Sequence, residues 1–163
     1  MKHTISVLVE NEFGVLSRIS GLFSGRGFNI ESLSVAPTMD AELSRMTLVT
    51  RGDDRVLEQI TKQLNKLIST IKVVDFTDGE YIERELALIK VSTDAETRAE
   101  ALRIVDIFRA KVIDVTPKSY TIEITGAPAK INGILELLRP MGIKEVVRSG
   151  PVVIGRGAKG VVG

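Results

Sequence analysis

One order of hydrophobic periods runs twice through this chain, and it limits the folds available more than any single residue does. Residues 4–10 (TISVLVE) put Ile5, Val7 and Val9 on one face, the alternation of a half-buried strand. From Val15 the spacing changes to three and four, so Val15, Leu16, Ile19, Leu22 and Phe23 line one helical stripe, which Gly25 and Gly27 stop. Residues 28–36 form a second strand closed by Pro37 and residues 43–51 a third, with the polar PTMDAE between them as a hairpin-type loop. Asp53 and Asp54 then cap a helix carrying Val56, Leu57, Ile60, Leu64 and Leu67, and residues 71–76 (IKVVDF) make a fourth strand. The order β-α-β-β-α-β is the split βαβ arrangement, an α+β fold in which two helices cover one face of a four-stranded antiparallel sheet.

The second half repeats it. Residues 86–92 read as a strand, Ala101, Leu102, Val105 and Phe108 as a helix, and residues 111–116 as a strand ended by Pro117. Residues 120–125 pair back, Pro128 opens a helix with Ile131, Ile134, Leu135 and Leu138, and residues 143–147 close the sheet. Short matches support a repeated architecture: VAP at Val35 faces VTP at Val115, and IKVV at Ile71 faces IKEV at Ile143. The expected organisation is a first domain over 1–76, a polar linker over 77–85, a second domain over 86–149 and a glycine-rich tail over 150–163. The GRGAKG of that tail lacks the strand and helix that a phosphate loop requires, so it reads as a mobile or partner-ordered segment.

Composition narrows the chemistry. The 163 residues contain no cysteine, no tryptophan and one histidine, which leaves no disulfide, no thiolate nucleophile and no Cys/His zinc set. With 22 basic against 21 acidic residues the net charge is +1, and this near balance carries no footprint for nucleic acid or an anionic membrane. Neither a signal peptide nor an apolar run of about 20 residues is present, so a cytoplasmic location is expected.

The segment NEFGVL at Asn11 to Leu16 is the informative one. Gly14 stands where the chain turns into the first helix, whose free N–H groups and positive dipole end suit a carboxylate. The amide oxygen of Asn11 can accept from an ammonium group, so the two residues match the two ends of an amino acid. Asn11 as a simple turn residue and Gly14 as a backbone necessity remain open alternatives. Asn29 is unusual early in the second strand, which in this fold lies at the sheet edge. An edge can pair with its copy in another chain and place Asn29 at a shared site; taken alone, a bulge or surface turn after the Gly25-Arg26-Gly27 helix stop is the simpler explanation. His3 reads as a surface residue, and the group Glu83, Arg84 and Glu85 as solvated charge. Ser17, Ser20 and Ser24 have no base to activate them, and no catalytic constellation emerges.

The run ISVLVENEFGVLSRISGLFSGRGFNIESLSVAP, with LSRMTLVT and FRAKVIDVTP after it, closely resembles the regulatory (small) subunits of acetolactate synthase, also called acetohydroxyacid synthase, over essentially the whole chain. The resemblance implies two tandem ferredoxin-like βαββαβ domains, the first an amino-acid-sensing ACT domain. It also implies a non-catalytic chain that activates a separate catalytic (large) subunit and makes it sensitive to valine, in valine, leucine and isoleucine synthesis. Thiamine diphosphate, magnesium and FAD are then expected on the catalytic subunit, with no cofactor on this chain. In ACT dimers of this kind the effector lies between chains, so Asn11, Gly14, Val15 and Leu16 of one copy are expected to meet Asn29 and Ile30 of the other. The second-half turn STDAETR (residues 92–98) has no glycine at its helix start, so one effector class, bound in the first half, is expected. The alternative is a stand-alone ACT-type sensor acting on a different target.

Overall fold

A computed structural model of the chain describes residues 1–77 and 79–158. Its first unit takes in Met1–Ile82 and the segment from Val152 onwards, and its second takes in Glu83–Pro151. The first unit runs β1 (Lys2–Glu10), α1 (Val15–Gly25), β2 (Ile30–Pro37), β3 (Leu43–Arg51), α2 (Asp54–Lys66) and β4 (Thr70–Asp75), with sheet order β2-β3-β1-β4. All neighbouring pairs are antiparallel, and β2 and β4 are the edges. The alternation in β1 turns Ile5, Val7 and Val9 towards the helices, where they are buried with Met46 and Leu48 of β3. Helix α1 answers with Val15, Ile19 and Phe23, one per turn, and α2 with Leu57, Ile60 and Leu64. Each such side chain removed from water contributes about 1.5–3 kcal/mol. The Asp53 carboxylate caps α2 by accepting from the Val56 N–H at 3.0 Å.

The second unit repeats the plan with β5 (Tyr81–Ser92), α3 (Arg98–Ile107), β6 (Lys111–Thr116), β7 (Ser119–Gly126), α4 (Pro128–Leu138) and β8 (Ile143–Arg148), in the order β6-β7-β5-β8. Pro128 occupies the first turn of α4, where its missing N–H costs no hydrogen bond. Ala87, Ile89 and Val91 form the core with Ile104, Ile122 and Ile134. Two tandem βαββαβ units are therefore present, as the periodicity predicts.

Four details differ from the sequence reading. Strand β5 begins at Tyr81, not Leu86, so most of the expected linker is strand. The Tyr81 ring packs against Phe76, and Glu85 falls on the core side because it shares the parity of Ala87, Ile89 and Val91. Glu85 is accordingly not solvated charge but 4% exposed, held by a two-pronged ion pair in which Arg148 Nε and Nη2 donate at 2.7 and 2.9 Å. That bond, outweighing desolvation, raises the Arg148 pKa above its ordinary value. His3 is likewise buried, since it lies in phase with Ile5. Its Nε2 donates to the Gly52 carbonyl at 3.0 Å, and its Nδ1 stands 3.2 Å from Thr77 Oγ1. The tail, finally, contains a strand, β9 (Val152–Gly155), that pairs with β5. Val153 is buried, and its carbonyl accepts from Arg45 at 2.9 Å. The expectation for residues 159–163 lies outside the described residues.

Candidate functional site

Among the described residues of the first unit, the junction between β1 and α1 is the only entry to a helix made through a glycine cap. Gly14 is the N-cap of α1 in the left-handed region (φ 84°), where a side chain is strained, and no side chain caps the helix. No acidic residue stands in the first turn. The Val15 N–H turns back to the Glu12 carbonyl at 3.5 Å, and the next N–H groups, of Leu16 and Ser17, point out with the positive end of the dipole behind them and no internal carboxylate to meet it.

Asn11 is fixed beside this turn. Its backbone N–H donates to the Glu42 carbonyl at 2.7 Å, and its Nδ2 donates to the Ala41 carbonyl at 3.0 Å. With the amide nitrogen engaged there, the oxygen is the atom left to accept from a cation. Glu10 and Glu12 flank it. A hydrogen bond from Glu12, its like charge and a little desolvation raise the Glu10 carboxyl above the usual range. The loop thus sets a carboxylate-seeking helix end next to a cation-seeking pair of acids.

The other expected site residues sort differently. Leu16 is half-exposed, whereas Val15 is a core residue against Ile19 and Phe23 and its backbone N–H donates to the Glu12 carbonyl, so Val15 shapes the turn and the N–H groups of Leu16 and Ser17 are the ones left for a ligand. Ile30 packs partly on the same core. Asn29 is exposed and precedes β2 instead of lying within it. The Phe28 N–H is still bonded to the Phe23 carbonyl of the helix end, and a register shift separates Ile30 from Ser32. Register also separates the two halves of the expected site within one chain. Ile30 pairs with Thr50, which pairs with His3, while Asn11 follows Glu10, which pairs with Leu43. Seven residues of β1 at about 3.3 Å each set the levels of Ile30 and Glu10, the neighbours of Asn29 and Asn11, roughly 23 Å apart along the strands.

The corresponding turn of the second unit is closed. Asp94 Oδ1 accepts from the N–H groups of Glu96 and Thr97 at 2.8 and 2.9 Å, and these bonds lower its pKa. Elsewhere in the first unit, a groove of about 330 Å³ is lined by Val35, Pro37, Val153 and Arg45, whose guanidinium is bonded to the Ser6 hydroxyl and the Val153 carbonyl. Burial lowers the Arg45 pKa, and none of the expected site residues lines this groove. The Ala41 and Glu42 carbonyls that hold Asn11 left no trace in the sequence, because any residue type supplies a carbonyl.

Comparison with known proteins agrees over both units. A family model described as "AHAS small subunit-like ACT domain" matches residues 5–72, and one described as "Small subunit of acetolactate synthase" matches residues 84–157. The acetolactate synthase small subunit of Mycolicibacterium smegmatis is 54% identical over 159 residues, 98% of this chain and 94% of that protein. That of Aquifex aeolicus is 56% identical over 156 residues, 95% of this chain and 81% of that protein. The crystal structure of the Thermotoga maritima acetolactate synthase small subunit superposes with a TM-score of 0.88 at 40% identity, covering 98% of this chain and 99% of the other.

Proposed function

The chain belongs to the acetolactate synthase small-subunit family, and from that premise we propose that it is a non-catalytic regulator whose first unit binds valine between two copies of itself. Bound valine then sets the activity of the catalytic subunit, which this chain otherwise raises. The observation that carries the proposal is the open end of α1 behind Gly14 with Asn11 held beside it.

Valine's carboxylate takes the N–H groups after Gly14, and its ammonium takes the Asn11 oxygen beside the Glu10 and Glu12 pair. Its isopropyl group meets Leu16 of one copy and Ile30 of the other, with Asn29 closing the polar side. The 23 Å separation within one chain supports a dimer, since β2 is an edge strand. Antiparallel pairing of two β2 edges brings the Asn29 end of one copy to the Asn11 end of the other. An apolar pocket distinguishes neighbours by only about 1–3 kcal/mol per methylene, so leucine and isoleucine are weaker effectors of the same site. Thiamine diphosphate, magnesium and FAD chemistry belongs to the catalytic subunit.

Valine acts by its differential affinity for two arrangements of the complex, a coupling of about 1–3 kcal/mol. Reconstitution with the purified catalytic subunit tests this reading. The expected result is higher acetolactate formation on adding this chain and a 5- to 150-fold loss of that gain's affinity or rate on saturating valine. Unchanged activity with and without this chain overturns the proposal, and acetolactate formation by this chain alone overturns its non-catalytic status.

A further inference from the structure

Three turns meet at the Asn11 end of the first unit, and each holds one large apolar side chain in water. Phe13 and Met39 are fully exposed and Ile68 is 95% exposed. None is a loose tip. Phe13 sits in the turn spanned by the Val15 N–H on the Glu12 carbonyl at 3.5 Å, directly after the one closed by the Glu12 N–H on the Glu10 carbonyl at 2.9 Å. Met39 sits in the hairpin loop between β2 and β3, braced by Thr38 Oγ1 on the Asp40 carbonyl and by the Asp40 carboxylate on the Glu42 N–H. Ile68 lies within the turn in which the Thr70 N–H donates to the Leu67 carbonyl at 3.0 Å.

The turns are also tied to one another. Asn11 bonds the Ala41 and Glu42 carbonyls of the hairpin loop, the Glu10 N–H donates to the Ser69 carbonyl at 2.8 Å, and Arg18 reaches Ser69 Oγ at 3.2 Å. The result is a pre-ordered apolar row across the end of the sheet, from the β2–β3 hairpin past β1 to β4. Apolar anchors carried on braced turns suit a protein interface, because the backbone that presents them is already ordered before docking.

We infer that this row docks the catalytic subunit of acetolactate synthase, an inference that rests on the regulatory reading above. Sheet order decides between that occupant and a second copy. A copy paired along β2 covers the β2 side of the end only, whereas Ile68 leads into β4, the opposite edge. A further self-contact through the row, added to the β2 contact, gives each chain two self-interfaces and leads to open-ended assembly or higher oligomers, not a closed dimer. Glu12, next to Phe13, and Asp40 and Glu42, beside Met39 in the hairpin loop, are exposed, so acidic charge borders the row and the receiving face is apolar with basic groups at its margin. Phe13 lies between Asn11 and Gly14, and the partner touching it reads the effector loop directly.

The test uses the full chain with Ile68→Ser, on the β4 side of the row that a copy paired along β2 leaves uncovered and outside the effector site. Dimer mass by sedimentation and valine affinity by calorimetry are measured on the chain alone, and association by titration into the catalytic subunit. The expected result is association at least tenfold weaker, with dimer mass, thermal midpoint and valine affinity unchanged. Undiminished association of the variant, while wild type binds and responds to valine, overturns the docking surface alone. Loss of dimer mass assigns the row to self-contact and overturns it too. Failure of wild type to associate with the catalytic subunit removes the regulatory reading and the surface together.

Discussion

In the first unit the chain enters α1 through Gly14, with no carboxylate accepting from the turn before the helix; in the second it enters α3 through a turn in which the Asp94 carboxylate takes the Glu96 and Thr97 amides just ahead of the helix. The sheets, the helices and the buried strand faces correspond, so the difference is confined to who supplies the anion. A turn closed by its own carboxylate is a structural brace. The turn without such a bond, in a loop pinned by Asn11 and leading to a helix whose first turn has no acid, leaves a preference for a carboxylate from outside, whereas α3 carries Glu100 in its first turn. The strand starts show a second contrast. His3 and Glu85 occupy the same place relative to their core strands, but His3 is held by a carbonyl and a hydroxyl, and Glu85 by the Arg148 guanidinium.

The strongest way to break the first contrast is to give the open turn an acid of its own. Gly14→Asp places a carboxylate in front of α1, and a Cβ there meets nothing within 4 Å. Asp tolerates the left-handed region better than most residues, so the fold survives the change. Calorimetry should then find valine affinity down by about 100-fold, the loss of a charge-assisted bond set. Unchanged affinity would place the effector elsewhere. The second contrast predicts unequal stability losses. Glu85→Gln leaves Arg148 without its counter-ion and costs about 2–3 kcal/mol, the lower end for a buried pair because Arg148 is a third exposed. His3→Gln costs about 1 kcal/mol, since its bonded partners are neutral. Denaturant unfolding of both variants checks the ranking, and equal losses would remove it.

Much of this was legible in the chain, and the misses have physical causes. The core strands announce themselves because Ile5, Val7 and Val9, and again Ala87, Ile89 and Val91, alternate with polar residues. Parity extended two positions upstream assigns His3 and Glu85 to the same buried faces, but their polarity argues for solvent until their partners are known. Those partners, Gly52, Thr77 and Arg148, are distant in sequence. Strand β5 hides its first residues because IERE reads as charge, and β9 hides among glycines although VVI is a β-branched run. Gly14 was visible as the turn into a helix; the brace behind Asn11 was not, nor was the register that puts Asn29 at the far end of the sheet.

The acids of the two turns sharpen the contrast, because they titrate in opposite directions. Amide bonds lower the Asp94 pKa, so its contribution to stability is present above the ordinary aspartate range and is lost as pH falls through the lowered folded value. Asp94→Asn should therefore flatten the acid limb of the second unit's unfolding profile and leave the first unit's limb in place, as followed by pH-dependent denaturation. A limb unchanged in both would mean that the turn is not held by that charge.

Glu10 has the reverse sign. Its raised carboxyl binds its proton more tightly folded than unfolded, so the associated stability is present below the ordinary glutamate range and lost as pH rises through the raised value. Above that pH the Glu10 and Glu12 charges oppose each other in a turn that has no internal cation between them, which is the state an ammonium-bearing effector relieves. Glu12→Gln removes both the like charge and the carboxyl partner. Carbon-detected NMR titration should then find Glu10 moved back towards the ordinary range and the gap between the Glu10 and Asp94 midpoints narrowed from the Glu10 side alone. If Glu10 keeps its raised value, desolvation and not Glu12 is its cause, and the open turn loses its claim to be electrostatically poised for a cation.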